Sequence, residues 1–180
     1  MMAQSKPVGF IGVGVMGGPM ARRLLERGHP LIVHDTNPAA IKSLTKLGAR
    51  AAKNPREVAD RAEIVLASLP TPQILRAVAL GENGVIHGRK VKTLVDLSTT
   101  GTHVEKEIAK ALAARRIATV VAPVSGGASR AAKGTLAVMV AGNKDLRPQR
   151  RRMVEQRQQG VGGSTGNDLQ PAGVLKFAER

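Results

Sequence analysis

Residues 8–18 read VGFIGVGVMGG, and this stretch decides how the chain is expected to fold. The apolar run from Val8 to Val13 has the composition of a buried strand, and residues 19–29 have the apolar spacing of a helix. Between them stand three glycines in the pattern G-x-G-x-x-G, namely Gly12, Gly14 and Gly17. A strand, a glycine turn and a helix in this order are typical of a dinucleotide-binding βα unit.

Each of the three glycines has its own expected role. Gly12 permits the tight turn, Gly14 lets the backbone approach a pyrophosphate, and Gly17 lets the helix lie close to the strand. The pyrophosphate is then expected on the free N–H groups at the positive end of the helix. The pattern therefore predicts a site for NAD or NADP.

The composition excludes several other classes of protein. The 180 residues are 42% hydrophobic and contain no cysteine, so a buried core is expected, while disulfides and thiolate metal sites are not. The four histidines lack metal-ligand spacing, and no metal site is predicted. No apolar run approaches about 18 residues, which argues against a membrane helix. The short segment before the first strand has no signal-peptide pattern, and a cytoplasmic protein is expected.

The formal net charge of +15 raises the question of a polyanionic partner. Basic residues are spread over many predicted elements, and the densest cluster lies within residues 147–152. Phe10 and Phe177 are the only aromatic residues, so the chain offers no platform for stacking single-stranded bases. We therefore predict no nucleic-acid partner and interpret the charge as a basic surface that attracts anionic cofactors.

Asp35 ends the apolar run PLIVHD and follows the glycines by about twenty residues, the usual place of the acidic residue that binds the adenine ribose of NAD. Its carboxylate would repel a 2′-phosphate, so NAD is favoured over NADP. A second role is compatible with the first, because Asp35 is also suited to forming the turn before Asn37-Pro38.

Predicted strands and helices alternate along the rest of the chain. Further strands are expected at 64–68, 93–96, 117–122 and 134–142, and helices at 38–47, from Asn54-Pro55 onward, at 73–80 and at 102–115. The fold class is therefore α/β, a Rossmann-type doubly wound, mainly parallel sheet with helices on both faces. The hydroxyl-rich loop 97–101 is expected either to bond a nicotinamide ribose or to cap the following helix.

Six segments in this order resemble the β-hydroxyacid dehydrogenase family, which includes 3-hydroxyisobutyrate dehydrogenase and tartronate semialdehyde reductase and is related to 6-phosphogluconate dehydrogenase. The segments are GFIGVGVMGGPMARRLLERGH (9–29), LP (69–70), LGENGVIHG (80–88), VDLSTT (95–100), APVSGG (122–127) and KGTLAVMVAG (133–142). The resemblance implies an NAD(P)-binding Rossmann domain at 7–145, followed by a divergent basic tail at 146–180 in place of the start of a helical substrate domain.

The resemblance also implies roles for individual residues. The implied cofactor residues are Gly12, Val13, Gly14, Met16, Gly17, Asp35, Leu69, Pro70 and Thr99. Ser125, Gly126 and Gly127 would hold the carboxylate of a small hydroxy acid. The family's general acid/base is a lysine on a helix after a glycine turn, and Lys176 is the positional match. Val121 departs from the family pattern, which has Asp there.

Two functions follow from the resemblance. The first is an NAD-dependent oxidoreductase, or its cofactor-binding part, that interconverts a small 3-hydroxy acid and the corresponding semialdehyde. The alternative is a catalytically inactive dinucleotide-binding fragment.

Overall fold

The computed structural model describes residues 6–99, 102–142 and 174–176. The strands in this part of the chain are β1 (Val8–Ile11), β2 (Leu31–His34), β3 (Arg50–Ala51), β4 (Ile64–Ala67), β5 (Thr93–Asp96), β6 (Ala118–Val121), β7 (Val124–Ser125), β8 (Ala137–Met139), β9 (Ala141–Gly142) and β10 (Val174–Lys176). The helices are α1 (Gly17–Glu26), α2 (Pro38–Thr45), α3 (Pro55–Arg61), α4 (Pro72–Leu80), α5 (Thr102–Ala114) and α6 (Gly127–Lys133), with a 3-10 turn at Val85–His87.

The main sheet has the order β3-β2-β1-β4-β5-β6-β9. Its first six strands pair in parallel, and β9 lies antiparallel beside β6. Strands β2 and β3 therefore lie on one side of β1, and strands β4, β5 and β6 lie on the other side. This reversal between β1 and β4 makes their carboxyl ends the place where ligands of such sheets bind. The predicted Rossmann-type α/β fold is confirmed.

Helices cover both faces of the sheet, because neighbouring residues on a strand point to opposite sides. Phe10 packs in a core cluster with residues of α1, α2 and α6, whereas Ile11 packs with residues of α3, α4 and α5. The same division separates Val65 from Leu66 on β4. Burial on both faces explains why the strands read as continuous apolar runs and not as alternating ones.

Three helices begin with the same local signal, an N-cap side chain followed by proline. The N-cap residues Asn37, Asn54 and Thr71 accept hydrogen bonds from the backbone N–H groups of Ala39, Glu57 and Ile74, respectively. Proline is pre-set for the first helical turn and lacks the N–H group that would be left unpaired there. The predicted start of α3 at Asn54-Pro55 is confirmed.

We expect Asn54→Ala to lower the free energy of unfolding by about 1 kcal/mol, because the N–H group of Glu57 then loses its acceptor at 2.8 Å. Urea denaturation measures the change. The matched control is Asn54→Asp, which keeps a capping oxygen and should retain the wild-type midpoint. An alanine variant as stable as the wild type would contradict the capping role.

The segment between residues 123 and 142 differs from its predicted organisation. The expected single strand at 134–142 is divided into β8, which belongs to a small antiparallel sheet of order β10-β8-β7, and β9, which belongs to the main sheet. Helix α6 was not predicted, and the expected loop at 123–127 contains the short strand β7. An apolar run shows that a segment is buried but carries no signal of a change of partner strand. Apart from β10, the tail at 146–180 lies outside the described residues.

Candidate functional site

The glycine loop joins β1 to α1, and two of its glycines are required by close contacts. Gly12 has a φ of +82°, and a Cβ there would lie 2.2 Å from the carbonyl oxygen of Ser68. A Cβ on Gly17 would lie 1.8 Å from the carbonyl oxygen of Gly12. These positions agree with the tight turn and close helix packing expected from the sequence.

Gly14 differs from both, since it is exposed and a Cβ there would meet nothing within 4 Å. Its open side faces solvent at the amino end of α1. The N-cap of that helix, Met16, provides no side-chain hydrogen bond, and the first turn contains no acidic residue. The positive end of the helix is therefore available to an anion, as the fingerprint requires.

Asp35 is oriented by two hydrogen bonds from the backbone. Its Oδ2 accepts the N–H of Val13 at 2.7 Å, which ties the end of β2 to the glycine loop. Its Oδ1 accepts the N–H of Asn37 at 2.8 Å, which confirms the predicted turn before α2. The contact with Val13 was not predicted, because nothing in the sequence indicates a bond between a side chain and a backbone group 22 positions away. The carboxylate is held at the loop where a cofactor ribose is expected.

The loops after β4 and β5 lie at the same edge of the sheet as the glycine loop, because β4 pairs in parallel with β1 and β5 pairs in parallel with β4. Ser98 is buried, and its Oγ accepts the N–H of Leu69 at 2.9 Å. Thr99 and Pro70, two of the implied cofactor residues, are exposed beside it. The roles expected for loop 97–101 in ribose binding and helix capping stay predictions, and residues 100–101 of this loop lie outside the described residues.

Asp96 at the end of β5 is a buried acidic residue at this edge that sequence reasoning did not select. Only 2% of its surface is exposed, and its Oδ1 accepts the N–H of Ser98 at 2.9 Å. Partial burial raises the pKa of Glu105 in the first turn of α5, and the nearby charge of Asp96 adds to the rise. The position of Asp96 directly after a buried strand was the available signal.

The implied substrate residues run from Ser125, the last residue of β7, through Gly126 to Gly127, the first residue of α6, and all three are exposed. Gly126 is the N-cap of α6 and has a φ of +133°, while Gly127 has a φ of +70°. Both values lie in the region that favours glycine. The loop therefore presents backbone groups to solvent, as a carboxylate site needs.

Lys176 lies on β10 and not on a helix, which corrects the helical setting implied by the resemblance. Its backbone is in register with Ala137 of β8, which in turn pairs with Ser125 of β7. Adjacent strands are about 4.8 Å apart, so the backbones of Lys176 and Ser125 are about 10 Å apart across the small sheet. The apolar, partly β-branched sequence at 174–176 suits the free edge of β8.

An open cleft of about 800 Å³ extends from the glycine loop between α1 and α2. Val15, which is 80% exposed, projects at its mouth. Arg22 and Arg23 line one wall, and both pair with Glu26, at 3.1 and 3.0 Å. The two arginines that line this cleft are thus already engaged with a carboxylate.

Within the described ranges, no group of three or more His, Cys, Asp or Glu side chains is placed to hold a metal ion. No helix in this part of the chain is long and apolar enough to cross a membrane.

A parallel sheet with a reversal point, a glycine turn and an uncapped helix at that point define a Rossmann-type dinucleotide-binding domain. The model of one family, described as the NAD binding domain of 6-phosphogluconate dehydrogenase, matches residues 7–160, and the chain belongs to this family. The resemblance to the β-hydroxyacid dehydrogenases over this domain is thereby confirmed.

Three known proteins illustrate the similarity. The mitochondrial 3-hydroxyisobutyrate dehydrogenase of Mus musculus is 41% identical over 147 residues, which cover 80% of this chain and 43% of the mouse protein. The structure of Mycobacterium tuberculosis 3-hydroxyisobutyrate dehydrogenase with L-serine superposes with a TM-score of 0.75 at 28% identity, covering 82% of this chain and 50% of that one. Psf3 in complex with NADP+ superposes with a TM-score of 0.74 at 26% identity, covering 81% and 52%.

The chain thus spans about half the length of the relatives it matches. One relative carries NADP+, so the comparisons support an NAD(P) site without distinguishing the two cofactors. The cytoplasmic location expected from the sequence stays a prediction, since the mouse relative is named as mitochondrial.

Proposed function

We propose that this chain forms the NAD-binding part of an oxidoreductase that interconverts a small 3-hydroxy acid and its semialdehyde. One observation carries the proposal: the open, exposed Gly14 lies at the uncapped start of α1, at the reversal point of the sheet. The two neighbouring glycines are required for packing, whereas nothing in the described structure fills the space beside Gly14. A pyrophosphate fits this space and would meet backbone N–H groups and the positive end of the helix.

The residues around the loop fit the remaining parts of a dinucleotide. Asp35 would accept hydrogen bonds from the hydroxyls of the adenine ribose, while its existing bond to Val13 keeps it beside the loop. Leu69, Pro70 and Thr99 would border the nicotinamide half, at the carboxyl ends of β4 and β5. When bound, the cofactor supplies hydride transfer to or from the reacting carbon.

The charges at the loop favour NAD over NADP. A 2′-phosphate near the Asp35 carboxylate would meet like charge. Arg22 and Arg23, the arginines in the adjoining cleft, already pair with Glu26. A 2′-phosphate bound in this cleft would also lie near the Glu26 carboxylate, which lines it and offsets the charge of both arginines.

The proposed substrate site is the glycine-containing segment at residues 125–127. Ser125, Gly126 and Gly127 would hold the carboxylate of the hydroxy acid through a hydroxyl and exposed backbone groups. In oxidation, the hydroxyl proton would pass to a base while hydride passes from the carbon that bears the hydroxyl to the cofactor. In reduction, the hydride and the proton would be returned to that carbon and its oxygen. Lys176 is proposed for the base because of its register beside Ala137, the strand partner of Ser125.

The alternative function is a dinucleotide-binding fragment without catalysis. The chain spans about half the length of each of these relatives, so turnover by this chain has to be measured directly. The two candidates share the cofactor site and differ only in turnover.

Fluorescence titration with NADH, followed by turnover assays, separates the candidates. We expect the 180-residue chain to bind NADH weakly and to turn over 3-hydroxyisobutyrate, glycerate or tartronate semialdehyde well below an ordinary rate of ~10 per second. Binding with no turnover supports the fragment, and slow turnover that the Lys176→Met variant loses supports the dehydrogenase. Failure to bind either NADH or NADPH would refute both.

A further inference from the structure

Two successive hydrogen bonds, one buried and one partly buried, connect β5 to the loop that follows β4. The Asp96 carboxylate accepts the N–H of Ser98 at 2.9 Å, and the Ser98 hydroxyl accepts the N–H of Leu69 at 2.9 Å. Asp96 and Ser98 are 2% and 5% exposed, respectively. Two polar side chains are therefore kept almost wholly out of water at the cofactor edge of the sheet.

Loss of either hydrogen bond would cost free energy, because the side chains of Asp96 and Ser98 are buried. A carboxylate removed from water loses hydration that only hydrogen bonds or paired charges can replace. A buried backbone N–H whose acceptor is deleted is left unsatisfied, at a larger cost than the net worth of an ordinary hydrogen bond. The link from Asp96 to Leu69 is thus a stiff connection between two loops.

The connection reaches the glycine loop as well. The N–H of Ser68 donates to the carbonyl oxygen of Ile11 at 2.9 Å, and the N–H of Leu97 donates to that of Ala67 at 2.8 Å. These backbone hydrogen bonds extend the pairing of the strands by one residue. The next hydrogen bond in the described structure that joins the β4 and β5 loops is the one from the Leu69 N–H to the Ser98 hydroxyl.

We propose that Asp96 and Ser98 are positioning residues that set the spacing of the β4 and β5 loops for the nicotinamide half of the cofactor. The proposal rests on the proposed function, because it assigns the nicotinamide half to Leu69, Pro70 and Thr99. Asp96 fixes the turn of Ser98, and Ser98 holds Leu69, so the loop after β4 stays beside the exposed Thr99. The adenine half is assigned to Asp35, whose hydrogen bonds come from Val13 and Asn37 and do not involve Ser98.

A purely structural role makes a different prediction. If the hydrogen bonds only stabilise the fold, their loss lowers stability and affects every ligand of the domain equally. If they position the nicotinamide half, their loss weakens NADH while sparing ADP, which lacks the nicotinamide and its ribose. The ratio of the two dissociation constants therefore separates the two roles.

The test compares Ser98→Ala with wild type in titrations of NADH and of ADP at one salt concentration. We expect the Kd for NADH to rise about fivefold to tenfold, since the partly buried N–H of Leu69 loses its acceptor. The Kd for ADP should stay within about twofold. Ser98→Thr keeps the hydroxyl and should restore the wild-type ratio, and Asp96→Asn keeps an acceptor oxygen and should change the ratio less than Ser98→Ala.

Val95→Ala is the matched control, because it removes buried side-chain volume from the same strand without touching the link. It should lower the melting temperature and leave the ratio of dissociation constants at the wild-type value. Equal weakening of both ligands by Ser98→Ala, or no change in either, would overturn the inference while the proposed function stands. A wild-type chain that binds neither ligand would instead refute the proposed function, and this inference with it.

Discussion

Replacing Gly17 with alanine is expected to lower the free energy of unfolding by about 2–3 kcal/mol and to abolish NADH binding. The new Cβ would lie 1.8 Å from the carbonyl oxygen of Gly12 and 3.1 Å from the ring of Phe10. Neither contact can relax cheaply, because Phe10 is fully buried and Gly12 is itself held against the backbone of Ser68. Helix α1 must therefore move away from the glycine loop. Urea denaturation measures the loss of stability, and fluorescence titration measures NADH binding.

Gly14→Ala is the matched control for this experiment, since it adds the same methyl group three positions earlier. A Cβ on Gly14 meets nothing within 4 Å, so stability should stay within about 0.5 kcal/mol of wild type. NADH affinity should still fall, because the methyl group occupies the space assigned to the pyrophosphate. Wild-type stability of Gly17→Ala would contradict the packing argument, and wild-type NADH affinity of Gly14→Ala would contradict the proposed site.

The sequence predicts most of this fold because its signals are local. Strand β1, the glycine turn and α1 follow one another within residues 8–26, and each step depends on residues a few positions apart. The start of α3 at Asn54-Pro55 is predictable for the same reason, since a cap and a proline act on the turn directly after them. Alternating strands and helices then leave few possible topologies.

The contacts that complete the candidate site could not be predicted in this way. The bond from Val13 to Asp35 spans 22 positions, and the bond from Leu69 to Ser98 spans 29. A side chain that accepts from a distant backbone N–H leaves no periodicity or spacing in the sequence. Asp35 could be selected because the dinucleotide-binding motif has an acidic residue about twenty positions after the glycines. Asp96 matches no such motif and was predicted only to end a strand.

The same limit explains the region after β6. The division of residues 134–142 into β8 and β9 depends on which strands are free to pair, and that is decided by the assembled sheet. Lys176 illustrates the consequence, because its backbone pairs with Ala137 once β8 offers an edge. The resemblance implied a helical setting for this lysine, whereas in the structure its backbone pairs with a strand.

Asp35→Asn is expected to weaken NADH binding about tenfold or more and to remove the preference for NADH over NADPH. The carboxylate of Asp35 has two acceptor oxygens, one on the N–H of Val13 and one on the N–H of Asn37. An asparagine has a single acceptor oxygen, so one of these N–H groups loses its partner, and hydrogen bonds to charged groups contribute about 1.5–3 kcal/mol. The loss of negative charge also removes the repulsion of a 2′-phosphate.

Titrations of NADH and NADPH against the wild type and Asp35→Asn measure both effects, and Asp60→Asn is the control. Asp60 lies far along the chain on α3, where it pairs with Arg89, so its replacement changes the net charge equally without touching the loop. We expect the NADPH-to-NADH ratio of dissociation constants to fall toward one in Asp35→Asn and to keep its wild-type value in Asp60→Asn. If Asp35→Asn retained the wild-type preference, the discrimination would have to come from another group, and Asp35 would be left with its role in holding Val13 and the turn before α2.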